Sequence, residues 1–210
     1  MSFDSWLTPP HILDKVRAVF NGHIDYDPAS NYVAQKYVNA TKFSILPEEW
    51  DGLSDPRVTL NGLNQQWLGN VFCNPPYSRG NIDSFAAKAI EEWNARYDDL
   101  DNDYYRPTNY VNQMILLVNS QTDTGWYHSL LNASSVTLVW RKRIKFWKIM
   151  NGEAHEKWEG EKSKAQGKGK IGNSPRYLNT MFYFGNNTRS FMDVFKDCGT
   201  FVGVKRESYY

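Results

Sequence analysis

The apolar positions fall into blocks whose spacing changes along the chain. Ile12, Leu13, Val16, Val19 and Phe20 recur at three- and four-residue intervals and predict an amphipathic helix. Thr8-Pro9-Pro10 opens it, with Thr8 as N-cap and proline in the first turn, and Asn21-Gly22 ends it. His23 to Asp27 alternates polar and apolar, which predicts a short strand stopped by Pro28. Residues 30–38 read as a helical turn or two. Residues 40–69, broken by Pro47, Gly52, Pro56, Gly62 and Gly69, read as irregular. Val71-Phe72-Cys73 is a compact apolar strand. Ile82 to Trp93 is a helix with Phe85, Ala86, Ala89, Ile90 and Trp93 on one face. Met114 to Val118 is apolar at every position, as in a strand buried on both sides. Thr124–Leu131 reads as a helix, and Val136–Trp140, Ile144–Trp147, Met181–Phe184 and Thr200–Val204 as strands. Residues 97–110 form an acidic, tyrosine-rich loop. Residues 151–173, rich in Gly, Lys and Glu and without an apolar period, are expected to be a flexible loop.

Strands alternating with helices, and a hairpin-like end, imply an α/β sheet with helices on both faces. No internal repeat or linker divides residues 1–210, so one domain is expected. In such sheets ligands bind beyond the carboxyl ends of the strands. Asp27-Pro28-Ala29 and Asn74-Pro75-Pro76-Tyr77 both fall there.

Composition narrows the class. The chain is 41% hydrophobic and 22% charged, ordinary for a globular protein. No run reaches the roughly 18 apolar residues of a membrane span, and the N-terminus lacks the features of a signal peptide, so a cytoplasmic location is expected, with no membrane partner. Cys73 and Cys198 make no disulfide framework and no zinc spacing, so no metal is expected. Aromatics are plentiful at 15%; most fit a core of large rings, and some would suit stacking on bases. Net charge is only +1, yet residues 140–176 carry eleven Lys/Arg against four Glu. That asymmetry fits either a local contact with a polyanion or a solvated surface.

The chemistry concentrates in Asn74-Pro75-Pro76-Tyr77. Asn74 offers a side-chain carbonyl, and the following proline holds Pro75 extended with its own carbonyl free. Two rigid acceptors could bind both hydrogens of one exocyclic amino group and stabilise positive charge as its nitrogen attacks an electrophile. Tyr77 could stack on the base that carries it.

This stretch resembles the catalytic motif of S-adenosylmethionine-dependent amino-methyltransferases. The chain resembles the phage and prophage DNA N6-adenine methyltransferases, the phage Dam family. The likeness runs from Ser5-Trp6-Leu7-Thr8-Pro9 through Asp27-Pro28-Ala29-Ser30, Asn61-Gly62-Leu63, Trp67 and Val71 to Tyr77. It continues through Thr122 to His128 and Arg143-Ile144-Lys145-Phe146, ending near Gly172 to Pro175. The resemblance implies a Rossmann-like class I methyltransferase three-layer sandwich, its sheet mostly parallel with an antiparallel C-terminal hairpin. It implies S-adenosylmethionine as cofactor, DNA as partner and, for a viral protein, the host cytoplasm as location. It assigns Asn74, Pro75, Pro76 and Tyr77 to catalysis. Trp6, Thr8, Pro9, Asp27 and Ala29 fall to the methionine end of the cofactor, and Asn61 and Gly62 to its adenosine end. Ser78, Arg79, Arg143, Lys145 and Trp147 are assigned to DNA. The sequence departs from the pattern in two places. A glycine-rich turn is absent after Asp27, and Asn61 stands where Asp is expected. No acid for the ribose hydroxyls is identifiable.

Rival readings remain open at this level. The same chemistry could act on a protein glutamine, an RNA adenine or cytosine N4, or the chain could be a DNA-binding relative without catalysis. Asn74 to Tyr77 could simply be a strand-ending turn, and Asp27 an Asx-turn residue. Asp123 could orient substrate or cap the helix beginning near Thr124. Cys73 is rejected as a nucleophile, because it sits inside the strand and amino methylation needs no covalent intermediate. His128 and His155 read as surface residues. On an alternating strand, Ile144 and Phe146 face inward while Arg143, Lys145 and Trp147 face out, either to phosphates or as a lysine-protected edge. Lys162 to Lys170 is either a DNA-contacting or a solvated loop.

Overall fold

The computed structural model describes residues 6–52, 54–77, 80–98, 110–150, 152–156 and 177–203. The chain runs β1 (Trp6–Leu7), α1 (Pro10–Val19), β2 (Tyr26–Asp27), α2 (Tyr32–Val38), β3 (Lys42–Ile45), β4 (Val58–Leu60), β5 (Gly69–Cys73) and α3 (Asn81–Asp98). It continues with β6 (Val111–Asn119), α4 (Gly125–Ala133), β7 (Val136–Trp140), β8 (Trp147–Met150), β9 (Glu153–His155), β10 (Asn179–Phe184), α5 (Thr188–Phe195) and β11 (Gly199–Val202).

Eight strands form one sheet in the order β11-β7-β10-β6-β5-β2-β3-β4. The pairs among β4, β3, β2, β5 and β6 are parallel, whereas β10 runs antiparallel to both neighbours and β11 antiparallel to β7. The expected C-terminal hairpin is not formed. β7 lies between β10 and β11, and α5 carries the chain over it, so each late strand pairs with an earlier one.

Side-chain alternation explains the two layers of core. In β6, Ile115 and Leu117 join α1, α2 and α5 on one face, while Met114, Leu116 and Val118 join α3 and α4 on the other. In β10, Met181 and Tyr183 divide from Phe182 and Phe184 in the same way. A central strand covered on both faces has no polar side, hence the unbroken apolar runs. At 25–30 cal/mol per Å² of apolar surface removed from water, these rings and branched chains supply most of the folding drive.

Three segments depart from the sequence-based expectation. Residues 40–69 are not irregular throughout, for β3 and β4 extend the parallel sheet beyond β2. Ile144–Trp147 is not a strand. Ile144 and Phe146 are buried and Arg143 and Lys145 exposed, but the Ile144 N–H donates to the side chain of Asn179 (3.3 Å) rather than to a neighbouring strand. The strand begins at Trp147 and forms a small antiparallel sheet, β1-β8-β9. Part of the expected loop 151–173 is therefore β9, and residues 157–173 lie outside the described residues. No helix among the described residues is long and apolar enough to cross a membrane.

Candidate active site

The chain leaves β2 toward β3 on one side and later returns to place β5 on the other side of β2. Connections departing in opposite directions open a crevice beyond the carboxyl ends of these two strands. A cleft of about 220 Å³ lies there. Trp6, Thr8, Asp27, Ala29, Asn61 and Gly62, far apart in sequence, line it together with Asn74 and Pro76. Pro9 does not. It is the N-cap residue of α1, and its carbonyl accepts from Ile12 (2.9 Å) and Leu13 (3.2 Å). Thr8 is thus not the cap that its position suggested.

Thr8 has another partner. It is 2% exposed, and its Oγ1 accepts a hydrogen bond from Asn74 Nδ2 at 3.2 Å. On the other side of the amide, the Tyr77 hydroxyl donates to Asn74 Oδ1 at 2.6 Å and reaches the Leu117 carbonyl at 3.3 Å. A short O–H···O contact and a longer N–H···O contact fit this orientation of the amide better than its flip. The Asn74 side chain is therefore held from both ends. Pro75 is buried, and Tyr77 is half-buried against the α3 side of the core. Neither lines the cleft wall, although Tyr77 touches the residue that does.

Asp27 sits on the cleft floor at 3% exposure. Its Oδ1 accepts from the Ala29 N–H (3.2 Å), and its Oδ2 from Gln35 Nε2 (3.0 Å), which also donates to Ser30 Oγ (2.7 Å). Burial pushes the carboxyl from its ordinary 3.8 up to about 6, against the hydrogen bonds of Ser30, Ala29 and Gln35, which pull it down. The Asx-turn geometry expected of a structural Asp is present, and the same carboxylate faces the cleft. Cys73, fully enclosed behind it, has its thiol pushed well up by burial and then by the Asp27 charge, so a thiolate is disfavoured there.

The Asn61–Leu63 turn forms the opposite wall. Asn61 holds φ at 54°, a left-handed conformation that Asn tolerates better than most residues. Its Oδ1 accepts from the Leu63 N–H (3.2 Å), and among the described residues its Nδ2 has no partner. A Cβ on Gly62 would stand 2.0 Å from the Pro28 carbonyl oxygen, so only glycine lets this turn pack against the one after β2. Trp67, wholly buried, fixes the turn by donating to the Gly62 carbonyl (2.8 Å). Glu49, just past β3, also lines the cleft, its carboxyl raised by burial and then by the Glu48 charge. Sequence reasoning missed it because β3 was not recognised. An acid shortly after the end of a parallel strand was the available signal.

The residues assigned to DNA divide. Arg143 and Lys145 are exposed beside a second concavity that Arg141 and Lys142 also line. Trp147 does not belong with them. It pairs with Leu7 in the small sheet and packs edge-on against Tyr37 (5.4 Å between centroids), so its ring is taken. Ser78 and Arg79 lie outside the described residues. Asp123 is exposed and caps nothing, since the N-cap residue of α4 is Thr124 and no side chain caps that helix. Among the described residues no cluster of His, Cys, Asp or Glu could hold a metal ion.

The site thus offers a buried carboxylate, an unpaired amide donor and an oriented asparagine carbonyl around one hollow. A family model described as DNA N-6-adenine-methyltransferase (Dam) matches residues 2–171. No curated protein and no solved structure matches the chain.

Proposed function

Because the chain belongs to the DNA N-6-adenine-methyltransferase (Dam) family, we propose that it moves a methyl group from S-adenosylmethionine to N6 of an adenine extruded from duplex DNA. We read the doubly wound sheet, with its switch between β2 and β5, as a Rossmann-like class I methyltransferase sandwich. The observation that carries the reading is the oriented Asn74 amide at the rim of a cleft also lined by Asp27 and Asn61.

The residues of the cleft fit the cofactor. A buried carboxylate whose ionisation is opposed by burial is a good partner for an ammonium group, which restores the charged form. Asp27 would hold the methionine amine, with Trp6, Thr8 and Ala29 around it. The free Asn61 Nδ2 can donate to a ring nitrogen of the adenosine, and Glu49 can accept from ribose hydroxyls. Gly62 lets the adenosine-side turn close directly on the Pro28 backbone, which brings Asn61 to the cleft wall. S-adenosylmethionine supplies, when bound, an electrophilic methyl on a sulfonium.

At the target base, Asn74 Oδ1 and the Pro75 carbonyl accept the two hydrogens of the amino group, drawing its lone pair out of conjugation and stabilising charge on nitrogen. The Tyr77 hydroxyl has a single hydrogen. Turned to the Leu117 carbonyl, it leaves Asn74 Oδ1 to the substrate, and its ring offers a stacking surface worth roughly 1–3 kcal/mol. That gain offsets the few kcal/mol needed to unstack and extrude the base. The surplus proton leaves the nitrogen after bond formation, so the transfer step itself needs no general base.

Radiolabelled methyl transfer to unmodified DNA, followed by nucleoside analysis, tests the reading. Label in N6-methyladenine is expected. Label in N4-methylcytosine or in protein redirects the substrate, and duplex binding without label removes the catalytic reading.

A further inference from the structure

A second concavity, of about 380 Å³, lies on the far side of the first turn of α1 from the catalytic cleft. Thr8 lines the cleft, and His11 and Ile12, one turn on, line this hollow. Arg141, Lys142, Arg143 and Lys145 surround it against one carboxylate, Asp197. All four cations are exposed, and among the described residues none pairs with an acid. By contrast, Arg17, Arg57 and Lys88 each hold a carboxylate of their own. Four unneutralised cations in one hollow repel one another, and an anion seated among them relieves that repulsion. Trp140 forms part of the wall, nine-tenths buried, and its Nε1 is the one enclosed side-chain polar atom without a partner among the described residues.

We propose that this hollow is a docking site for one phosphate of the DNA backbone, several base pairs from the adenine being methylated. The proposal rests on the methyltransferase reading above and adds Arg141, Lys142 and His11 to the DNA surface. Position favours a duplex over a free anion. Trp140 ends β7, and Asn74 follows β5; both strands point the same way, so hollow and cleft open on the same edge of the sheet. Three strand spacings separate β5 from β7, about 14 Å at 4.7–4.9 Å each. At about 3.4 Å per base pair, that is roughly four steps along the duplex. The hollow therefore meets flanking DNA rather than the extruded nucleotide, and its contribution is independent of target sequence.

The test is duplex binding by fluorescence anisotropy over a range of salt, using the full chain. Arg141→Gln/Lys142→Gln is compared with wild type and with Lys42→Gln, an exposed cation at the opposite edge of the same sheet. Loss of one phosphate contact makes the slope of log K against log salt shallower by about 0.9 in the double variant. Lys42→Gln keeps the wild-type slope. Calorimetric affinity for S-adenosylmethionine stays within about twofold in all three, which shows the fold intact. A double variant with wild-type affinity and slope overturns the pocket. If that variant also methylates DNA normally, the catalytic reading stands without it. A wild-type chain that binds S-adenosylmethionine but no duplex overturns both.

Discussion

Replacing Asp27 by asparagine probes the cleft at its most deeply buried charge. The carboxyl titrates near 6 in the folded protein against an ordinary 3.8. Each pH unit between those values is worth about 1.4 kcal/mol, so ionisation costs the ligand-free fold ~3 kcal/mol. Between the two values the folded state keeps a proton that the unfolded chain has released. The stabilising contribution is complete below 3.8 and is lost as pH rises through about 6. Asparagine has the same shape and does not titrate. It presents an NH₂ toward Ala29 or Gln35, both donors, and so forfeits about 1 kcal/mol at every pH. The diagnostic quantity is therefore the pH dependence, not absolute stability. Urea unfolding between about pH 4 and pH 8 should show wild-type stability falling relative to Asp27→Asn by ~2–3 kcal/mol up to about pH 6, then running parallel. Calorimetry supplies the functional half. Wild-type affinity for S-adenosylmethionine should climb about tenfold per pH unit up to about 6 and level off, because only the carboxylate pairs with the amine. Affinity in the variant should be weak and flat. Parallel stability profiles across the whole range, or an affinity in the variant that still tracks pH, would refute the assignment of a buried, proton-linked carboxylate to the cofactor.

Asn74→Ala should abolish turnover while leaving cofactor affinity within a few-fold, measured by single-turnover kinetics and calorimetry; near-normal turnover would contradict its role. Tyr77→Phe keeps the ring and removes the hydroxyl, which in the proposed reacting complex has turned from Asn74 Oδ1 to anchor the ring on the Leu117 carbonyl. At about 1 kcal/mol for that hydrogen bond, kcat should fall roughly five- to tenfold with duplex affinity unchanged, and an equal loss in both would point to a damaged stacking surface instead. Gly62→Ala sets a methyl against the Pro28 carbonyl. Overpacking of this kind costs ~1–3 kcal/mol, so thermal unfolding should move down by several degrees and cofactor affinity should fall; a variant with wild-type behaviour in both would show that the turn yields freely.

Much of the central sheet and of the candidate site was legible in one dimension, because it rests on short-range rules. A strand covered on both faces needs apolar residues at successive positions, so β6 and β10 announced themselves. The rigidity of Asn-Pro-Pro-Tyr is a property of the backbone of those four residues alone. β3 and β4 were lost for the converse reason: each is only a few residues long, and parallel strands gain their stability from partners that loops and helices separate in sequence. Glu49 was lost with them.

What the sequence determined by itself was which segments had to be buried and which four residues could present rigid acceptors. Which neighbours those residues met was settled by strand order. Thr8 reads as a helix cap, yet the meeting of β1, α1 and the end of β5 delivers its hydroxyl to Asn74. Trp147 reads as an exposed ring, yet pairing with β1 turns it onto Tyr37. Hydrogen-bond partners and burial depend on contacts across many residues of chain, and periodicity along the chain carries no information about those.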